Sequence, residues 1–335
     1  MIMKRFSKRL ITIIIVLSLS TMSFIISAVD LEFDVEVGDN SISSAAAIIM
    51  DFDTGLVIYE FNADELRVPA SMTKMIAVYV VMDAILEGLI SLDSRVEISE
   101  NASRFSYNRA YSNIPMPLEN TYTIRELLYA VIVRSASAAT VSLGEAIFGS
   151  EEILVEKMNE KVRKLGITAS FSDSWGGSPE NKISARGMAD LTRAFIKEYP
   201  EVLMFTSQNS ITIDDESYRS TNLLLDEYEG VDGFKTGFTN PAGWCFTGTA
   251  SQEGRRIITV TMGSTQGHRF PDTVILLDYG FENYGNVIAN HFRTTINPTG
   301  EKPFGNSSLV PISMFNVELI EYIKLRELAI ILNES

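Results

Sequence analysis

Apolar residues recur along this chain at two periods, and the switches between them divide it into segments. Residues 45–50 and 56–61 are two apolar runs around Asp51-Phe52-Asp53-Thr54-Gly55, the pattern of a β-hairpin with Gly55 able to take positive φ. Residues 71–86 carry Met, Ile, Val and Ala with no breaker before Gly88, which predicts a buried helix starting near Ser71. Residues 124–148 form another apolar helical region, interrupted by the small-residue patch Ser135-Ala136-Ser137-Ala138-Ala139. Helical spacing returns over 151–165 (Leu154, Val155, Met158, Val162, Leu165) and ends at Gly166, a C-cap residue. A further helix over 186–199 stops at Pro200.

After Gly230 the period becomes two. Residues 231–239, 244–250 and 256–262 are β-type runs punctuated by Pro241-Ala242-Gly243 and Gln252-Glu253-Gly254, which predicts an antiparallel meander. Residues 271–284 return to helical spacing through Val274, Leu276, Leu277 and Tyr279. A hairpin first, helices in the middle, then strands and a helix predict an α/β (α+β) fold. One antiparallel sheet of about five strands comes from both chain ends and is flanked by helices, with a mostly helical subdomain between.

The two ends read differently from the body. Lys4, Arg5, Lys8 and Arg9 precede an apolar stretch, and Ser27-Ala28 supplies small residues, so 1–28 reads as an export signal. An uncleaved signal anchor is the alternative, and both place the body outside the cytoplasm. Residues 29–43 are acidic and polar, as in a spacer. Pro298, Pro303 and Pro311 lie in a linker over 295–313, and 314–334 is an apolar tail. In the tail Glu318, Glu321, Lys324, Arg326 and Glu327 ring the helix instead of sharing one face. It reads as a docked helix or strand, with peripheral membrane association as the alternative.

Composition narrows the chemistry. The 335 residues are 46% hydrophobic and 21% charged, which is globular, and the net charge is −15. Without the four basic residues of 1–28, 24 basic against 43 acidic residues leave −19, a balance that repels nucleic acid. A single cysteine, Cys245, excludes an intrachain disulfide. With only His268 and His291 beside it, no Cys/His zinc site can form. No metal or other cofactor is expected, and the chemistry falls to side chains alone.

Three short elements could carry it. In Ser71-Met72-Thr73-Lys74 the serine and lysine share one face of a helix start. A serine hydroxyl needs a base to take its proton, and an amine one turn away can do so where burial or a neighbouring cation disfavours its charge. An ordinary serine helix cap would look the same. In Lys235-Thr236-Gly237 a strand presents an ammonium, a hydroxyl and, at Gly237, unobstructed backbone to an extended ligand; an edge lysine that discourages aggregation would also fit. Ser135-Ala136-Ser137 could equally be close-packing positions with back-bonded hydroxyls.

Together, and in this order, the three resemble the motif set shared by penicillin-binding proteins and active-site-serine β-lactamases. The surrounding text, at 61–74, 158–166, 220–224 and 230–245, is similar to that of low-molecular-mass D-alanyl-D-alanine carboxypeptidases, and the resemblance runs over about 45–284. It implies a DD-peptidase/β-lactamase-like catalytic domain over 44–288 and an acyl-enzyme formed at Ser71 on the penultimate D-Ala of a peptidoglycan stem. Lys74 would be the general base, Ser135 a proton relay to the leaving amine, and Lys235 with Thr236 the grip on the terminal carboxylate. The backbone N–H groups of Ser71 and Phe238 would form the oxyanion hole, and Arg269 would assist the carboxylate. Peptidoglycan stem peptides are the implied partners, with β-lactam antibiotics as covalent inhibitors.

Two positions depart from the resemblance. Ser137 stands where the family has Asn, replacing an amide that donates and accepts with a shorter hydroxyl. Residues 170–178 differ from the usual text, so that loop is expected to be reshaped. A catalytically impaired wall-binding protein and an endopeptidase with the same residues are the alternatives. A β-lactamase would need a carboxylate to activate water, and none is recognisable between Ser137 and Lys235.

Overall fold

The computed structural model describes residues 35–38 and 40–296. The export signal expected at 1–28, most of the linker and the apolar tail lie outside the described residues. The chain divides into two compact units, residues 1–35 and 36–335, and the second carries the fold.

Strands β3 (Ala46–Asp51) and β4 (Val57–Phe61) form the predicted hairpin, and β11 (Val231–Thr239), β12 (Gly243–Gln252) and β13 (Arg255–Ser264) the meander. They join in one five-stranded sheet of order β11-β12-β13-β3-β4, antiparallel at every pairing, so the two chain ends meet where β13 pairs β3. Register there sets Ile258 opposite Met50 and Val260 opposite Ile48. Those four residues are buried in the main core, while Ile49 and Ile257 point to the other face. The final helix lies on that second face. A Cβ at Gly280 would come within 2.8 Å of Ile257 and 3.0 Å of Ile49, so glycine lets helix and sheet approach closely.

Smaller pairs complete the strands: β5 (Arg95–Glu97) with β6 (Thr121–Thr123), β7 (Ala169–Ser170) with β8 (Lys182–Ile183), and β9 (Ser210–Ile213) with β10 (Glu216–Arg219). The stretch expected as a spacer over 29–43 is partly structured. It holds β1 (Val35–Val37) and β2 (Asn40–Ile42), because Val37 and Ile42 find burial despite their acidic neighbours.

The described helices are α1 (Lys74–Leu86), α2 (Glu100–Ser106), α3 (Ile124–Val133), α4 (Ser137–Phe148), α5 (Glu151–Lys164), α6 (Ala185–Glu198), α7 (Val202–Thr206), α8 (Leu224–Glu227) and α9 (Arg269–Ile296). The helix predicted from Ser71 begins as a 3₁₀ turn, Ala70–Thr73, and becomes α-helical at Lys74. Ten of the thirteen residues of α1 are buried, so the helix runs through the interior and takes Lys74 with it. Stacking of Tyr79 on Phe195, with centroids 4.4 Å apart, ties α1 to α6.

The region 124–148 is two helices. A capping box starts α3, with the Thr123 hydroxyl accepting from Glu126 N–H and Glu126 accepting from Thr123 N–H. Ser135 at φ 62° and the extended Ala136 then break the chain before α4. The last helix starts at Arg269 and continues to Ile296, past the limits read from its spacing.

Near one end of the sheet Arg256 grips Asp232 through two hydrogen bonds of 2.7 and 2.6 Å, and Asp232 also accepts from Thr249 at 2.7 Å. This clamp joins β11, β12 and β13. Asp232→Ala leaves a mostly buried guanidinium unpaired and should cost about 2–3 kcal/mol. Thermal unfolding should fall by about 4–12 °C for a domain of this size, measured by calorimetry.

Candidate active site

Ser71 lies in the 3₁₀ turn and Lys74 opens the helix that follows. Their side chains meet: Nζ of Lys74 is a donor to the Ser71 hydroxyl at 3.0 Å and to the Trp175 carbonyl at 2.5 Å. Lys74 has no exposed surface. Burial pushes its pKa down to about 7, although the half-buried carboxylates of Asp173 and Glu151 pull it upward. A serine hydroxyl therefore faces an amine that is partly neutral near neutral pH, which can take its proton.

Lys235 and Thr236 sit mid-strand on β11, an outer strand of the sheet, and both are buried. Lys235 donates to the Thr236 carbonyl at 3.1 Å. Burial first, then the cations of Lys74 and Arg269, hold its pKa well below the usual lysine range. A cavity of about 10 Å³ between α1 and β11 is lined by both lysines together with Met75, Val78, Phe195 and Phe234. Those apolar walls are what make either charge costly.

Two glycines close on the backbone of Ser71. A Cβ at Gly237 would lie 2.7 Å from the Pro69 carbonyl oxygen and 3.3 Å from Ser71 N. A Cβ at Gly176 would lie 2.0 Å from the Ala70 carbonyl oxygen and 2.8 Å from Ser71 N, and Gly176 has φ +89°. Strand β11 thus reaches the serine on one contact and the 170–178 loop on another.

Ser135 is buried, and its hydroxyl has no hydrogen-bond partner among the described residues. Its turn is linked to β11 through Thr221: Thr221 N–H donates to the Val133 carbonyl at 3.0 Å, and Thr236 donates to the Thr221 hydroxyl at 2.8 Å. Ser137 is also buried, and its N–H donates to the Ser112 carbonyl at 2.9 Å. Asn113 beside it accepts from Ala138 N–H at 2.8 Å, so the 111–113 segment is fastened to the start of α4. Arg269 opens α9, with its guanidinium 4.8 Å from the Trp244 ring centre and 3.5 Å from the Gly237 carbonyl. Burial pushes its pKa down to about 10. Phe238 is 46% exposed at the end of β11, its ring 4.4 Å from that of Trp244.

Several of these contacts have no signal in the motifs. The Trp175 carbonyl is backbone, so no side-chain pattern could reveal it. Thr221 stands in a stretch similar to the family's text but without a role assigned by it. The sequence offered no recognisable carboxylate between Ser137 and Lys235; the fold brings two, Glu151 and Asp173, into electrostatic reach of Lys74.

Serine and lysine at the head of a buried helix, facing a lysine on an outer strand of an antiparallel sheet, define a penicillin-binding-protein fold, and solved structures share it. A peptidoglycan synthesis regulatory factor from Streptococcus pneumoniae superposes with a TM-score of 0.68 at 36% identity, covering 72% of this chain and 74% of that one. Penicillin-binding protein D2 of Listeria monocytogenes, in its cefotaxime-bound form, gives 0.66 at 31%, covering 72% and 98%. The family model for D-alanyl-D-alanine carboxypeptidase matches residues 34–266, and the chain belongs to that family. It is 33% identical over 247 residues to the D-alanyl-D-alanine carboxypeptidase DacF of Bacillus subtilis, covering 71% of this chain and 62% of the relative. Identity to DacA of Haemophilus influenzae is 33% over 267 residues, covering 78% and 67%. The match thus spans about two thirds or less of the length of these relatives.

Gly176→Ala tests the approach of the loop to Ser71. The new methyl group meets backbone on both counts and should lower thermal stability by about 2 kcal/mol or more. Calorimetry and circular dichroism of the purified variant check this.

Proposed function

We propose that this chain is a serine-type D-Ala-D-Ala carboxypeptidase that removes the terminal D-alanine from peptidoglycan pentapeptide stems through an acyl-enzyme at Ser71. The observation that carries the reading is the 3.0 Å contact between the Ser71 hydroxyl and a fully buried Lys74 amine. Membership of the D-alanyl-D-alanine carboxypeptidase family supports the substrate class.

In this reading Lys74 takes the Ser71 proton as the hydroxyl oxygen attacks the carbonyl of the penultimate D-Ala. The developing oxyanion is held by the backbone N–H groups of Ser71 and Phe238; donors of this kind contribute several kcal/mol in comparable sites. Ser135, whose hydroxyl is unpartnered within the described protein, relays the proton that Lys74 has taken up to the leaving D-Ala amine as the C–N bond breaks. Lys235, Thr236 and Arg269 receive the substrate's terminal carboxylate. An arriving anion favours the charged form of a lysine whose charge burial disfavours. Water then hydrolyses the ester. The family's β-lactam chemistry enters by the same step, with the lactam carbonyl in place of the peptide, and the cefotaxime-bound Listeria structure supports it.

The site of action proposed is outside the cytoplasm. The basic-then-apolar order of residues 1–28 supports it. No described helix is long and apolar enough to cross a membrane.

Ser71→Ala should abolish covalent labelling by a fluorescent penicillin and release of D-alanine from a D-Ala-D-Ala peptide; labelling equal to wild type would end the assignment. A second expectation concerns pH. The Lys74 amine must be neutral to accept a proton, so with a pKa of about 7 the acylation rate should rise about tenfold per pH unit below that value. It should level off above it. Stopped-flow acylation by a chromogenic β-lactam from pH 5 to 8.5 reads this limb.

A further inference from the structure

The loop after β7 departs from the family's text, and it is this loop that touches Lys74. Its hydrogen bonds converge on two acids. Asp173 accepts from Gly176 N–H at 2.6 Å, from the Asn181 amide at 2.9 Å, and from Ser178 N–H. Glu151, at the start of α5, accepts from both the N–H and the hydroxyl of Ser174, at 3.0 and 2.8 Å. Between Ser174 and Gly176 stands Trp175, whose carbonyl oxygen is held 2.5 Å from Lys74 Nζ. Asn181 also reaches Thr73, next to Lys74, at 3.3 Å. Every residue flanking Trp175 is therefore pinned to a carboxylate.

A neutral lysine amine has two N–H bonds and one lone pair. Engaging one N–H with the Trp175 carbonyl restricts rotation about the Cε–Nζ bond and helps turn the lone pair toward the Ser71 hydroxyl 3.0 Å away. When the Ser71 oxygen bonds to a substrate carbonyl carbon, the carbonyl π pair moves to its oxygen and the hydroxyl proton moves to Nζ. The ammonium so formed is favoured by the carboxylates of Asp173 on the loop and Glu151 on α5 and opposed by the charge of Lys235 on β11, which Arg269 opposes in turn.

We propose that Asp173 and Glu151 are positioning residues for Lys74: they fasten the loop so that the Trp175 carbonyl orients the amine, and their charge offsets the ammonium created in acylation. The donors that Asp173 accepts occupy both its oxygens, and Glu151 spends one oxygen on two donors. The inference rests on the function proposed above for Ser71 and Lys74, but its test does not.

The test uses the full chain labelled with [13Cε]lysine, the Lys74 resonance being assigned by its loss in Lys74→Arg. Glu151→Gln keeps an oxygen for Ser174 and removes only charge; Asp173→Asn removes charge and one clamp. Each should lower the Lys74 titration midpoint by about half a pH unit or more; the amine is then a weaker base, so acylation by a penicillin on the plateau at pH 8.5 should slow about two- to threefold. Ser172→Ala is the control, since the Ser172 hydroxyl bonds Ser178 and Asn181 in the same loop. It should leave the midpoint in place even if stability drops. An unchanged midpoint in Glu151→Gln overturns the inference, whether or not Asp173→Asn folds. Should wild type fail to label with penicillin, the function assigned to Ser71 falls, while the NMR comparison still decides the positioning claim.

Discussion

Placing a lysine amine in an apolar interior next to a serine hydroxyl is the constraint around which this molecule is built. An ammonium in that position is costly, so the amine gives up its proton far more readily than a solvated lysine. That single consequence of burial is what the proposed pairing of Ser71 and Lys74 depends on. Holding the amine there requires a helix buried on nearly every side, and α1 is such a helix. Its apolar surroundings come from both the sheet and the helical subdomain, so neither layer alone could keep Lys74 dry.

The second requirement is reach. The serine backbone must lie close to both strand β11 and the 170–178 loop, and two glycines meet that need. At Gly237 and Gly176 a methyl group would strike the carbonyl oxygens of Pro69 and Ala70. Glycine here is a condition of geometry: the strand and the loop can approach the same short turn only where no side chain intervenes. Thr221 adds a third fastening, joining the Ser135 turn to Thr236 through a relay of hydrogen bonds.

Electrostatics in the cleft is lopsided. Lys74, Lys235 and Arg269 gather in a largely buried region of an otherwise acidic chain, and each is held below its usual pKa chiefly by burial. A carboxylate entering such a site would offset charges that burial leaves poorly compensated. The acids at 151 and 173 temper this on the side of Lys74, whereas the charge of Lys235 is opposed by Lys74 and Arg269.

Much of this was legible in the chain. The change from helical to alternating period gave the sheet its two-ended origin, since periodicity reports directly which faces are buried. Ser71, Lys74, Ser135 and Lys235 stood out because each lies in a short motif of fixed spacing, and local spacing survives in sequence. The break in 124–148 was visible as small residues, but its left-handed Ser135 was not, because no local pattern marks a serine in that conformation. Likewise Val37 and Ile42 looked like part of an acidic spacer until burial selected them. What only the tertiary structure decided is the environment of Lys74: the Trp175 carbonyl, the paired carboxylates and the apolar wall. Backbone acceptors carry no residue signature, and a pKa depends on everything within a few ångströms, which sequence order does not record.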